Sequence, residues 1–418
     1  MIFMFSSTDK TILRELAKQY AEIAAHDTNI KRKARGQSNN SLRPTRPLVW
    51  MDEIPWHEMD IDGFLILQCI GDEARKMERH FRQTLYRWKY MQADMIVDDA
   101  YYIDKAFDNT GIGIEIREQT RSTDTHNHII SHLYEDILET DEQVEALRLP
   151  IITAQPKLDK IRVDEASEVL GDILPVKLRG HGIYHAPWDT ISMLRGVEPI
   201  LIDMIDNPEH LHNIRRKFME IGLSQHEQME AQGLLDFNIP SLHCTPPYAD
   251  ELPSSGYDGA NVGLRDVWFR GMAQSFSTVS PAMWKEFDID YMRPLSDKCG
   301  LVYYGCCEPL DNILDMLMDI PNMRKLGISP WADENKCAET LGAKYVYARK
   351  PNPAFVATNF DADIVHQETK TTIELCLKYG CPYEFVLKDI STVSYKPQNL
   401  ISWVTTVMST IDEYYGSE

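Results

Sequence analysis

The sequence predicts an α/β protein, a (β/α)8 TIM barrel over residues 46–418 behind an N-terminal helical extension and linker at residues 1–45. Three observations carry that reading. Eight short apolar runs of β-type composition alternate with longer stretches of helical periodicity, the pattern of parallel βαβ units. Their number matches the strands of a closed barrel. An open doubly wound sheet is the rival, but no Gly-rich dinucleotide fingerprint follows any run.

In chain order, residues 8–26 carry a helical pattern, and Lys31 to Arg46 is basic, polar and rich in Asn, Ser and Arg, which reads as linker. The expected strands are Leu48–Met51, Met95–Val97, Leu174–Leu178, Asp236–Ile239 running on to Leu242, Leu301–Tyr304, Arg324–Ile328, Tyr345–Ala348 and Glu384–Leu387. Helical patterns fall near 64–90, 157–170, 207–232, 281–298, 309–319, 333–341, 361–379 and 397–414.

Composition narrows the function classes. The 418 residues hold 43 Lys and Arg against 64 Asp and Glu, a net charge of −21, with no basic run beyond the short stretch that opens the 31–46 segment. Binding to nucleic acid or an anionic membrane needs clustered cations, so neither is expected. No run of about 18 apolar residues occurs, so no membrane span is expected either. The apolar start, Met1 to Phe5, is broken at Ser6 before it could form a signal-peptide core. Eight cysteines without such a leader suit a reducing cytoplasm, with thiols free for metal or reactivity.

Barrel chemistry gathers at the C-terminal ends of the strands. The residues just past each run are Asp52 and Glu53, Asp98 and Asp99, His181 and His185, His243 and Cys244, then Cys306, Cys307 and Glu308. Ser329 and Trp331, Lys350 and Asn352, and Lys388 and Asp389 complete the ring. His243, Cys306 or Cys307, and Glu308 or Glu251 could give one zinc three ligands and leave an open fourth position, as catalytic zinc requires. Two buried free thiols and a satisfied core histidine are the plain alternative. Asp98 and Asp99 offer an acid/base pair or a solvated one. Tyr184, His185, Trp188, Tyr304, Trp331 and Asn352 are candidates to line a pocket for a small planar substrate.

Several segments together resemble the uroporphyrinogen decarboxylase superfamily, (β/α)8 barrels that include the corrinoid-dependent methyltransferases. Ala93 to Asp99 is similar to its second-strand segment, with Asp99 at the decarboxylases' catalytic position. Gly182 to Trp188 resembles the Gly-Ala-Pro-Phe/Trp-Thr segment, and Gln274-Ser275-Phe276 with Val279-Ser280-Pro281 resembles the Asp-Ser-Trp-Ala-Gly and Leu-Ser-Pro segment. Ile328 to Asp333 and Lys350 to Pro353 stand where the family has its Asp-Trp and Gly-Asn-Asp-Pro motifs.

The departures direct the functional expectation. The decarboxylases' Arg-Gln-Ala-Gly-Arg motif is replaced by the acidic Trp50-Met51-Asp52-Glu53-Ile54-Pro55-Trp56, which would repel a polyanionic porphyrinogen. The methyltransferases' His-x-Cys pair becomes Tyr304-Gly305-Cys306, and their late Cys becomes Asp389-Ile390-Ser391.

The resemblance implies a methyltransferase moving a methyl group from a small substrate, an aryl methyl ether (O-demethylation) or a methylamine, to cobalamin on a partner corrinoid protein. Zinc would be held by His243, Cys306, Cys307 and Glu308; Asp99 or Lys388 would assist proton traffic, and His181 with Trp188 would shape the pocket. A homodimer is also compatible with it. The alternative is a metal-free decarboxylase or related lyase with Asp99 as acid and Lys350 and Lys388 on the substrate carboxylate. A binding barrel without chemistry is the third reading.

Overall fold

A computed structural model describes residues 5–122 and 130–417; residues 1–4 of the apolar start lie outside them. Its centre is a curled, all-parallel sheet of seven strands. These are β1 Leu48–Met51, β2 Ile183–His185, β3 Trp268–Gly271, β4 Leu301–Tyr304, β5 Met323–Ile328, β6 Val346–Arg349 and β7 Tyr383–Leu387. The order across the sheet is β1-β7-β6-β5-β4-β3-β2. No ladder joins β1 to β2 among the described residues, so the expected closed eight-stranded barrel is a half-barrel here.

Two expected strands are absent for identifiable reasons. At 95–97 the backbone is satisfied by side chains of the helix Asp27–Asn40: Asn29 Oδ1 accepts from Val97 N at 2.9 Å, and Arg32 donates to Met95 O at 2.8 Å. Along 236–242, Asp236 accepts from Gly180 N and Asn238 N, an Asx turn, and Pro240 has no N–H to give a ladder. The run at 174–178 does form a strand, Val176–Arg179, but it pairs with Tyr101–Asp104 in a separate two-stranded sheet. β2 and β3 take the vacated places in the main sheet.

The expected helices form, among them 72–90, 156–170, 208–231, 334–341, 362–379 and 397–415. Those at 208–231, 334–341, 362–379 and 397–415 back the sheet, whereas 72–90 and 156–170 pack mainly with the N-terminal helix in a second core. Val49, Met51, Phe269, Val302, Tyr304, Leu326, Ile328, Phe385 and Leu387 point into that layer and join one large apolar core. Each such side chain contributes about 1.5–3 kcal/mol relative to exposure. The alternate residues point to the concave face. There Trp268, Leu301, Tyr303 and Ala348 pack with Leu242 and Ala249, and Trp50 and Val386 with Cys244. The segment around 242–249 thus plugs the half-barrel. Lys325 on β5 and Glu384 on β7 reach past β6 to meet at 2.8 Å, as a curled sheet allows.

The presumed linker from Lys31 is largely the helix Asp27–Asn40. Before it, Ser6 caps the helix Ser7–Ala24 through Oγ, and Leu13, Leu16, Ala17 and Tyr20 pack with Met77, Phe81 and Val169. Arg35 pairs with buried Asp94, whose Oδ2 accepts from Val49 N at 2.9 Å, while Asp94 N donates to Val49 O at 3.0 Å. The free edge of β1 is therefore closed by one aspartate anchored to the extension. Among the described residues no helix is long and apolar enough to cross a membrane.

Candidate functional site

The tips of β3, β4 and β7 and the plug segment converge on Cys306. β4 ends at Gly305, whose φ of 101° turns the chain where a Cβ would lie 2.5 Å from Leu310. The turn is braced from behind: Glu308 accepts from Cys306 N at 3.0 Å and from Ala273 N at 3.3 Å. Cys306 Sγ then lies 2.7 Å from Lys388 Nζ, 3.0 Å from Gln274 Nε2, 3.6 Å from Cys307 Sγ and 3.7 Å from His243 Nε2. Lys388 Nζ also lies 3.2 Å from Asp389 Oδ1, 3.4 Å from His243 Nε2 and 3.8 Å from Glu53 Oε2. Cys307 donates to Asp389 Oδ2 at 2.6 Å.

Four side chains around this cluster sit on left-handed backbone despite carrying a Cβ: Glu53 (φ 52°), His243 (43°), Cys244 (74°) and Asp389 (56°). Such conformations cost free energy and concentrate where side chains must be aimed at one point. The turn at 242–245 is held by Leu242 N on Thr245 O at 2.7 Å and by Cys244 N on Ser241 Oγ at 2.9 Å.

The electrostatics follow from these contacts. The contact with Cys307 first, then His243 and the charges of Arg270 and Lys388, hold the Cys306 thiol far below its usual range against the opposing effect of burial. Cys307 is pushed up by its bond to that thiolate and by burial. Burial alone would discharge Lys388, but the negative charges of Cys306 and Asp389 keep it above the usual lysine value. Burial, together with the Cys306 charge, pushes Glu308 up to about 7. His243 is lowered by burial and so favours the neutral, ligand-competent imidazole.

Two of the pairs around Cys306 have the spacing of zinc ligands. With Zn–S near 2.3 Å and Zn–N near 2.0–2.1 Å, two sulfurs lie about 3.8 Å apart and a sulfur and nitrogen about 3.5 Å. The Cys306–Cys307 and Cys306–His243 separations of 3.6 and 3.7 Å are close to those values. Cys306, Cys307 and Asp389 present donor atoms within 4.8 Å of one another, and His243 falls in a second such group with Glu53 and Cys244. Glu308 does not join them, because its carboxylate oxygens accept backbone N–H groups.

The other expected residues scatter. Tyr184 faces the cluster, its ring 5.1 Å from that of His243. His185, its neighbour on β2, faces the opposite way and packs beneath Gly222 and beside His226. Trp188 and Tyr304, expected in the pocket, are core residues that both bond buried Asp288, at 3.0 and 2.6 Å. His181 bonds Lys105 O at 2.7 Å and edges onto Phe107. Asp99, with its side chain 78% exposed, stands 3.6 Å from Lys177 on the outer surface. Trp331 is 69% exposed, and Asn352 Oδ1 accepts from Ala354 N. Arg270 and Gln274 were not anticipated; a charge inside the otherwise apolar Val267–Gly271 run was the signal available for Arg270.

Two clefts adjoin the cluster. One of about 690 Å³ opens beside Glu53, with Trp56, His57, Arg79, Arg82 and Ile390 on its walls. A smaller one of about 230 Å³ reaches His243, Tyr184 and Arg270 from the β2 side.

No family model matches the chain, and no curated protein does. Among solved structures, a methyltransferase from Methanosarcina mazei is similar at 13% identity and a TM-score of 0.48, over 92% of this chain and 99% of that one. Haloferax volcanii malate synthase in its pyruvate and acetyl-CoA ternary complex matches at 9% identity and a TM-score of 0.20, over 60% and 56%. Neither likeness is close enough to transfer a function.

Proposed function

We propose that the chain is an enzyme of the methyltransferase type, working at the Cys306 centre on a small methylated substrate. The observation that carries the reading is the convergence on Cys306 of Cys307, at 3.6 Å, and His243, at 3.7 Å, with Asp389 grouped beside the two thiols. Asp389 takes the role first given to Glu308, and Glu308 instead stiffens the turn that presents the thiols. A bound zinc would supply a Lewis acid toward the heteroatom bearing the methyl group.

The chain's own residues do the rest. Lys388 holds a proton at Nζ, the nearest to the thiolate, and can deliver it to a heteroatom leaving as an anion. Gln274 orients the Cys306 sulfur, and Tyr184 with His243 forms the aromatic wall of the smaller cleft. The cobalamin of a partner corrinoid protein is the methyl acceptor in this proposal. The lyase reading draws no support from Asp99, which is exposed on the outer surface.

The test is methylcobalamin formation, followed spectroscopically, with a panel of aryl methyl ethers and methylamines as donors. Activity in the wild type that is lost in Cys306→Ser, with the fold retained, supports the proposal. Carbon dioxide release from a carboxylated substrate without any corrinoid would replace it with the lyase.

A further inference from the structure

The concave face beneath the thiols carries more positive charge than it can pair. Arg270, Lys325, Lys350 and Lys388 are all buried there. Lys325 meets Glu384 at 2.8 Å, and Lys388 meets Cys306 and Asp389. Arg270 and Lys350 have no ion pair among the described residues. Arg270 donates only to Gly271 O and weakly to Met272 Sδ, leaving Nε without a partner. Lys350 Nζ and the hydroxyl of Tyr303 are likewise buried and have only each other as polar partners among the described residues. Both cations lie against the Tyr303 ring, 4.4 and 5.5 Å from its centroid. A buried cation without a counter-charge is strongly unfavourable, and so is an orphaned buried donor. Arg270 feels the Cys306 thiolate, which Lys388 already holds, so Arg270 and Lys350 share one interior without an ion-paired carboxylate among the described residues.

The cleft of about 230 Å³ ends on Arg270. Ile183, Ile239, Leu242 and the Tyr184 ring line it together with His181, Ser241 and His243, and its one acidic residue, Asp104, is exposed. That lining suits an apolar body with a single anionic end.

We propose that this cleft is an oxyanion subsite, with Arg270 at its floor and Lys350 and Tyr303 behind, which takes the carboxylate of a small apolar acid. The inference names the substrate class of the enzyme proposed above and rests on that reading. Its binding step, however, is independent of the thiol chemistry.

The experiment is thermal denaturation and calorimetric titration of the full chain with benzoate, acetate or inorganic phosphate, at constant ionic strength in chloride. Benzoate raises the Tm of the wild type and of Cys306→Ser. It binds Arg270→Met and Lys350→Met at least tenfold more weakly. Lys350→Met without ligand melts at or above the wild type, because an unpaired buried charge has been removed. The proposal is overturned by the absence of any carboxylate response, by an equal response in both variants, by a response to phosphate alone, or by a Lys350→Met protein less stable than the wild type. Methyl transfer could fail while the benzoate response survives in Cys306→Ser, so the two readings fall separately.

Discussion

Lys388 Nζ stands 2.7 Å from Cys306 Sγ and within 3.4 Å of His243 Nε2, so an ammonium occupies the centre of the donor set that would hold a metal. Cation and metal compete for the same atoms. Replacing Lys388 with Met removes the competitor and is expected to tighten zinc binding about tenfold or more, the scale of one charge-assisted hydrogen bond. In the metal-free protein the same change raises the pH at which the Cys306 thiolate band appears in the ultraviolet, because a nearby cation that favours the thiolate is gone. Competition titration with a zinc chelator and difference spectra against Cys306→Ser check both statements.

Glu58 ties the loop after β7 to the loop after β1. It accepts from Thr392 Oγ1 at 2.7 Å, Val393 N at 2.6 Å and Tyr395 N at 3.2 Å. Burial alone would raise its carboxyl, but those hydrogen bonds and the nearby His57 outweigh burial and hold it below 4.5. Because the folded value is depressed, the stabilisation is complete above about pH 4.5 and is lost as the pH falls through the folded value. Glu58→Gln should cost about 1–3 kcal/mol at neutral pH. It should also show a shallower loss of stability on acidification, measured by urea unfolding from pH 7 to 3.

Asp94 substitutes for a missing neighbour of β1 and is clamped by Arg35 and Arg32. Asp94→Ala removes the carboxylate shared by Arg35 and Arg32 and the acceptor of the Val49 N–H together, a loss of about 3–5 kcal/mol. Asp94→Asn keeps an acceptor for Val49 and should lose less. Chemical denaturation of the pair ranks them, and equal stabilities would show that the extension does not hold the edge of the sheet.

Gly222 lies in the helix Pro208–Ala231, where Gly→Ala ordinarily stabilises by roughly 0.5–1 kcal/mol. Here the new Cβ would meet His185 Cε1 at 2.5 Å, and that imidazole is wedged between Phe269 and His226. Overpacking outweighs propensity, so Gly222→Ala should destabilise by about 1–2 kcal/mol net. A rise in Tm would mean that His185 is free to move.

The sequence reveals β4 to β7 because each is a short run of β-type residues, buried on both faces, between two helical patterns, although β5 carries Arg324 and Lys325 and β7 carries Glu384. It hides β2 because Ile183-Tyr184-His185 is too short to stand out, and β3 because a long irregular segment, not a helix, separates it from the helix ending at Ala231. The site is legible to the same degree. Cys306, Cys307, His243 and Lys388 lie beyond strands or in turns and do converge. Strand parity is the part that cannot be read. When both faces of a strand are buried, nothing in the pattern says that Tyr303 faces the interior and Tyr304 the helices, or Tyr184 the cleft and His185 the core. Asp389 emerges as a donor only once the left-handed backbone at that position is known.

The most direct test is the zinc content of the purified chain beside Cys306→Ser and His243→Ala, all with folding checked by circular dichroism. The account predicts about one zinc per wild-type chain, and at least a tenfold loss of affinity in both variants. Folded wild-type protein that takes up no zinc, or variants that retain it at the wild-type level, would contradict the account.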